Sequence, residues 1–391
     1  MPRFAPFDPL RFAPGTPLDD VLAPPYDVLS DADVDRLQAH ADNITFVDVP
    51  RGGPDRYEAA AAVLREWTAR GLLVRDGEPT LTIYRMGFTD ATGTARQVSG
   101  VFGALEVVDE GAPGVLPHER TTPKASTDRL DLTRATGANL SPVWGLSLAT
   151  GLTDELAAPG EPLGSVTWDG VTHAVERISD PGRIARVQAI VGADDVLIAD
   201  GHHRYGVARR YRDEVRERTG RRDTAAELTL TFVNELRADQ LSIEAIHRLY
   251  ADVAPDVLRA KLAESFDLAP APPPSPATLS EMAASGRLVL LWPDGSAEWL
   301  APKPGAFDGV RALDGAYLEH ALAGLEVGVT YQHGLAETLQ RVGSGGQTAG
   351  VLIRPTSLEE IVRTAREGLL MPPKSTFFTP KLLTGWVVRP L

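Results

Sequence analysis

Two histidines and an arginine follow directly on an Asp-Gly pair in the run Val196-Leu197-Ile198-Ala199-Asp200-Gly201-His202-His203-Arg204-Tyr205. An apolar stretch stops there and a long helical pattern begins. A strand that ends at the mouth of a helix presents free backbone N–H groups and the positive end of the helix dipole. Asp200, His202, His203 and Arg204 at that mouth make a site for a phosphate and its metal ion. The plainer alternative is that Asp200 is an N-cap worth about 1 kcal/mol, with the histidines as ordinary first-turn residues. A lone cap does not need that cluster behind it. A cationic imidazole is disfavoured beside the positive dipole end, so at least one of His202 and His203 is expected to be neutral near pH 7.

Other runs carry weaker chemistry. Leu116-Pro117-His118-Glu119-Arg120-Thr121-Thr122-Pro123-Lys124 packs an acid between basic groups. A carboxylate held near cations stays ionised and can act as a general base; a solvated polar turn is the competing reading, as it is for Asp128 and Arg129. Lys374-Ser375-Thr376 suits phosphate but lacks the preceding glycines of a P-loop. The adjacent Phe377-Phe378 reads as core. His247-Arg248 ends a strand, where structural and functional roles are evenly balanced. His320 and His333 lack metal-ligand spacing with other histidines. There is no Rossmann G-x-G-x-x-G, no Walker lysine, no kinase catalytic-loop set and no G-x-S-x-G elbow.

The elements that must position these groups follow from pattern. Pro24 and Pro25 fix the backbone ahead of Tyr26 and Asp27. Ser30 and Asp33 form a capping box for a short helix. Ile44 to Val49 reads as a strand. A helix follows Pro54 and ends at Gly71, with Ala60, Ala61, Leu64 and Trp67 on one face. Strands are expected over 80–89 and 95–108, 143–148, 165–168 with 171–178, 196–199, 229–234 and 241–247. Asp169-Gly170 signals a hairpin turn. Helices are expected near 127–136, 181–191 and 202–219. Ala269-Pro270-Ala271-Pro272-Pro273-Pro274 reads as a semi-rigid spacer. Beyond it come a strand pair at 288–292 and 298–300, helices at 314–323 and 357–368, and a strand at 351–354. Hairpins outnumber βαβ units, so the class is α+β.

The bulk numbers bound the function. At 391 residues the chain suits two or three domains. Hydrophobic residues are 43% and charged residues 24%, the balance of a soluble globular protein. No apolar run approaches the ~18 residues of a membrane span, and Met1-Pro2-Arg3-Phe4 lacks a signal-peptide layout. A cytoplasmic location is therefore expected. Cysteine is absent, which excludes disulfides and thiolate chemistry. The net charge of −14 argues against a nucleic-acid partner. The basic residues from Arg209 to Arg222 alternate with acids and read as a solvated helix face.

Five runs occur in order: Pro24-Pro25-Tyr26-Asp27-Val28, Pro117-His118-Glu119-Arg120-Thr121, Asp200-Gly201-His202-His203-Arg204-Tyr205, His247-Arg248 and Met371-Pro372-Pro373-Lys374-Ser375-Thr376-Phe377-Phe378. Together they resemble the family called domain of unknown function 1015, over nearly the whole chain. The Asp-Gly-His-His-Arg element also resembles that of the free serine kinases. The resemblance implies a ParB/sulfiredoxin-like core within 1–250 and an α+β region over 251–391 after the Pro-rich linker. It implies phosphotransfer from ADP or ATP, with CTP a third option, and Mg²⁺ to a small hydroxyl compound, free L-serine above all. Asp200 would serve the metal and phosphate, Gly201 to His203 would hold phosphate oxygens, and His202, His203 and Arg204 would neutralise charge. Glu119 would be the base, with Asp27 its competitor. Lys124, Arg129 and Lys374 would be second contacts to phosphate or carboxylate; Tyr26, Asp27 and His247 are further candidates for substrate contact. The runner-up is a ParB-like nucleotide-binding regulator or interaction protein without catalysis.

Overall fold

A computed structural model describes residues 1–391 apart from 91, 92, 120–123 and 373, and gives the backbone alone for 124–126. The chain divides into two units. The first comprises Met1–Ser242, Ala365–Gly368 and Pro380–Leu391; the second comprises Ile243–Thr364 and Leu369–Thr379. The segment from Pro380 onward thus groups with the first unit, although the sequence reading had placed it with the C-terminal region.

Nine described strands build the first unit's sheet: β1 (Phe4–Ala5), β2 (Leu81–Thr89), β3 (Ala95–Glu106), β4 (Val115–Leu116), β5 (Val143–Ser147), β6 (Glu161–Trp168), β7 (Val171–Ile178), β8 (Val196–Asp200) and β9 (Leu228–Glu235). Their order is β4-β8-β5-β9-β3-β2-β7-β6, with β1 beside β3. The pairs β4–β8 and β5–β9 are parallel and the others antiparallel. With its helices the chain is α+β. The β6–β7 hairpin turns at Asp169-Gly170, with φ of 47° and 76°, the left-handed pair that matches strand twist.

Both faces of the sheet are covered. Leu81, Ile83, Val101 and Leu105 join Val187, Val191 and Tyr205 in one core. On the other side Tyr84, Phe102 and Phe232 pack with ring centroids 5.1 to 5.5 Å apart. Burial of this kind supplies most of the folding free energy, at about 25 cal/mol per Å² of apolar surface.

The helices of the first unit that matter for the site are α1 (Asp31–Leu37), α2 (Thr45–Asp48), α3 (Arg56–Ala69), α4 (Lys124–Thr136), α5 (Pro181–Val191) and α6 (His202–Thr219). Ser30 and Asp33 form the expected capping box on α1. The expected strand at Ile44–Val49 is instead the short helix α2. The Asn43 side chain decides this: its Oδ1 accepts from Thr45 N and Oγ1 at 3.0 and 2.8 Å, which starts a helical turn. Helix α6 is fixed by Tyr205, whose hydroxyl donates to Glu106 O (2.9 Å) and accepts from Val108 N (2.8 Å).

The second unit carries a sheet of β10 (Ile246–Ala251), β11 (Phe266–Ala271), β12 (Leu288–Leu291), β13 (Ala297–Pro302), β14 (Gly328–His333) and β15 (Ala349–Leu352), in the order β11-β13-β12-β15-β10-β14. Residues 269–271 of the expected spacer belong to the edge strand β11, paired antiparallel with β13. An edge strand has one row of N–H groups without ladder partners, so Pro270 is tolerated there. The helices Pro276–Ser285 and Leu335–Gly343 and the strand β14 lie outside the elements expected from the sequence. No described helix is long and apolar enough to cross a membrane.

Candidate active site

The junction after β8 is shaped by two backbone irregularities. Ile198 stands opposite Gly145 but Asp200 opposite Trp144, so the strand bulges at Ala199. A bulge bends the strand and re-aims the next side chain. Gly201 then takes φ 86°, and a Cβ there would stand 3.1 Å from Arg204 Cζ and Nε and 3.3 Å from Val143 Cα. Conformation and space both demand glycine. Helix α6 starts at once at His202, behind the glycine N-cap Gly201, which has no side chain to cap it.

Two cations and two acids meet around this turn. Asp200 Oδ2 accepts from Arg204 Nη2 at 3.0 Å and from Lys381 Nζ at 3.4 Å. Burial pushes the Asp200 carboxyl up, but Lys381 and then Arg204 overcome it and hold the group well below the usual carboxylate range. Arg204 is 9% exposed. Its Nη1 donates to Pro142 O, and its Nη2 lies 4.0 Å from Asp27 Oδ2. Its Nε is buried without a partner among the described residues. Arg204 therefore ties Asp27 and Asp200 together from below, while Asp27 is exposed.

A small cleft of about 50 Å³ continues from Arg204, lined by Tyr26, Asp48, Arg129 and Ser141 among others. The Arg129 guanidinium lies 4.2 Å from the Tyr26 ring centroid and donates to the backbone carbonyl of Asp48 at 2.5 Å. Burial pushes the Tyr26 hydroxyl up to about 12, so it stays a neutral donor. Burial also pushes the Asp48 carboxyl up, against Arg129 and the Ser141 hydroxyl at 2.8 Å.

The parallel pairing of Val115 with Val196 and Leu116 with Leu197 carries the next residues of that strand toward the Asp200 edge. His118 N donates to His202 Nε2 at 3.3 Å. Burial, then His118, keep His202 well below the usual histidine range. The expected neutral histidine is thus His202. The resemblance gives His202 a charge-neutralising role; in the structure its Nε2 accepts from His118 N.

The remaining candidates are placed as follows. His203 is a half-buried residue of the first turn of α6. The Lys124 side chain lies outside the described residues, as do Arg120, Thr121, Thr122, Pro123 and Pro373. Lys374 and His247 belong to the second unit. Lys374 is exposed at φ 60° and its carbonyl accepts from Arg248 Nη1 at 3.1 Å. His247 is buried, and its Nδ1 accepts from Ile353 N at 3.2 Å. Of the Phe pair, Phe378 is core and Phe377 stacks on His333 at 4.5 Å.

Among the described residues no group of three or more His, Asp or Glu is placed to hold a metal ion. A protein-built metal cage is therefore not what these residues offer. Mg²⁺ usually takes only one or two carboxylates and keeps its other places for water and substrate phosphates. Asp200 fits that single-carboxylate role.

A family profile described as "protein of unknown function (DUF1015)" matches residues 4–316. The chain belongs to this family. Solved structures similar to it include a free serine kinase variant in complex with ADP, at 14% identity and a TM-score of 0.39, covering 72% of this chain and 87% of that one. A conserved hypothetical protein from Pyrococcus furiosus is similar at 12% identity and a TM-score of 0.38, covering 68% and 87%. So is SbnI with a C-terminal truncation from Staphylococcus aureus, at 12% and 0.39, covering 71% and 85%. No curated protein matches the chain.

Two residues of the site were not singled out from sequence. Lys381 follows Pro380 in a tail whose next residues, Leu382 and Leu383, are buried. A lone lysine entering an apolar run behind a proline was the available signal. Asp48 sat inside the segment read as a strand, where an acid looks like a solvent-facing position.

Proposed function

We propose that the first unit transfers a phosphoryl group from a nucleotide to the hydroxyl of a small metabolite, with free L-serine as the favoured acceptor and O-phosphoserine as product. The acceptor is the one that the family resemblance implies. The observation that carries the reading is the shared Asp200 oxygen, held by buried Arg204 and partly exposed Lys381 at the start of α6. Such an arrangement suits a group whose transferred oxygens carry spread negative charge, where fixed donors and cations do most of the work.

In this reading the N–H groups at Gly201 to His203 receive phosphate oxygens. Lys381 neutralises charge on the transferred group, joining His202, His203 and Arg204, to which the resemblance assigns that role. Arg204 helps keep Asp200 ionised and holds Asp200 and Asp27 in place. Mg²⁺, carried on the nucleotide and touched by Asp200, would supply further charge neutralisation. Glu119 takes the acceptor proton, as the family resemblance implies, and Asp27 beside Arg204 is the alternative base. The Tyr26, Arg129 and Ser141 cleft takes the small polar end of the acceptor.

The experiment is a product assay. Purified protein, L-serine and Mg²⁺ are incubated with ADP, ATP or CTP, and phosphoserine is followed by phosphorus NMR. Glu119→Gln and Asp27→Asn are run beside the wild type, and the base is the one whose amide abolishes turnover. Nucleotide binding without phosphoserine from any donor selects the regulatory reading.

A further inference from the structure

We infer that one edge of the second unit's sheet is an interface between two copies of this chain, with β14 pairing antiparallel to β14 of the other copy. The observation is a difference between the two edges of a single sheet. Soluble proteins blunt their edge strands with charges, proline or bulges, because open backbone groups accept further strands. The edge strand β11 carries Asp267 and Pro270. The opposite edge, β14, carries no Asp, Glu, Lys, Arg or Pro, and it pairs with β10 over its whole length without a bulge. Val329 and Tyr331 are 41% and 40% exposed on it. Thr330, on the other face, is exposed as well.

The ladder fixes which backbone groups point outward. Tyr250 O accepts from Thr348 N at 2.7 Å, so the peptide groups of Tyr250 face β15. Directions alternate along a strand, so the groups of Leu249 face β14 and meet those of Thr330. The N–H and C=O of Val329 and Tyr331 therefore point away from β10. Among the described residues no strand pairs with them on that side.

The sequence of the strand selects the occupant. With a twofold axis at Thr330, Val329 of each copy stands opposite Tyr331 of the other and exchanges both backbone hydrogen bonds with it. Thr330 then meets Thr330. Aromatic–β-branched and Thr–Thr pairs are among the favourable cross-strand combinations. Glu326, the first acid on the N-terminal side, falls opposite Gly334 and not opposite another charge. A chain of net charge −14 repels its own copies, so a contact in which no like charges meet is what self-association needs. The Arg248 guanidinium lies 4.8 Å from the Tyr331 ring centroid and holds the ring in place before pairing. An isologous contact of this kind closes at two copies.

Sedimentation equilibrium of the full chain over a concentration series tests the proposal. A monomer–dimer equilibrium in the micromolar to millimolar range is expected of so small an interface. Thr330→Lys sets lysine against lysine at the axis, and Thr330→Glu sets glutamate against glutamate. Each should weaken dimerisation by about tenfold or more, and mixing the two variants should restore it. Thr330 is exposed, so neither substitution disturbs the core. Ala269→Lys, at an exposed position of the opposite edge, should leave association unchanged. A wild type that stays monomeric throughout the series, a dimer indifferent to Thr330→Lys, a mixture that does not reassociate, or loss of the dimer in Ala269→Lys would each overturn the proposal.

Discussion

His118 and His202 meet edge to face, with ring centroids 4.7 Å apart, and the backbone N–H of the first donates to the ring of the second. The contact joins the segment after β4 to the first turn of α6. Burial holds both rings below the usual histidine range.

Stability should fall as the solution is acidified from neutrality. Burial is the main cause of the drop of His118 to about 4, while an unfolded histidine titrates near 6.5. Between those values the unfolded chain binds the extra proton and the native chain does not. Native stability is therefore full above about pH 6.5 and is lost as pH falls toward 4. His118 alone is worth roughly 3 kcal/mol across that window. His173, also pushed to about 4 by burial, adds to the slope. Urea unfolding at a series of pH values checks this, and His118→Gln should flatten the curve. A flat wild-type curve over the window would contradict it.

Gly201, the N-cap of α6, and Gly206, in its second turn, should respond oppositely to alanine. Gly201→Ala forces a left-handed residue and a contact 3.1 Å from Arg204, and should cost about 1–3 kcal/mol. Gly206 is helical with nothing within 4 Å of its missing Cβ, so Gly206→Ala should stabilise by about 0.4–1 kcal/mol. Denaturant midpoints measure both. Equal effects of the two substitutions would remove the argument that the Gly201 turn is built around Arg204.

Lys381→Met separates the reachable cation from the buried one. The Lys381–Asp200 pair is partly exposed, so its loss should cost only about 1 kcal/mol in stability. Turnover should drop by about 10²–10³-fold, the usual effect of deleting one donor to a developing charge. A variant with near-wild-type turnover would confine Lys381 to a structural role.

What could be read from the chain follows from the range of the interactions. The β6–β7 hairpin is visible because Asp169-Gly170 and the flanking alternation are local. Helix α6 is visible because its period runs unbroken from the Asp-Gly pair. Helix α2 was misread because Thr45 and Val47 favour strands, whereas Asn43, which starts the turn, acts through its side chain. Pro270 argued for a spacer, but an edge strand asks no N–H of it. The Asp200 end of the site was legible for the same local reason. Its other half was not: Lys381 reaches Asp200 across 181 positions, and Arg129 meets Asp48 across 81. No periodicity records such pairings, since they are set by how the sheet gathers its helices and tail.

The most direct measurement is phosphoserine formation by Asp200→Asn, followed by phosphorus NMR with whichever nucleotide the wild type uses, after circular dichroism has shown the variant folded. Asparagine keeps the shape and removes the charge that Arg204 and Lys381 share. The account predicts a loss of about 10³-fold or more. Turnover within about tenfold of wild type would contradict it, because the junction at Asp200 would then be a fold feature and not a site of phosphoryl transfer.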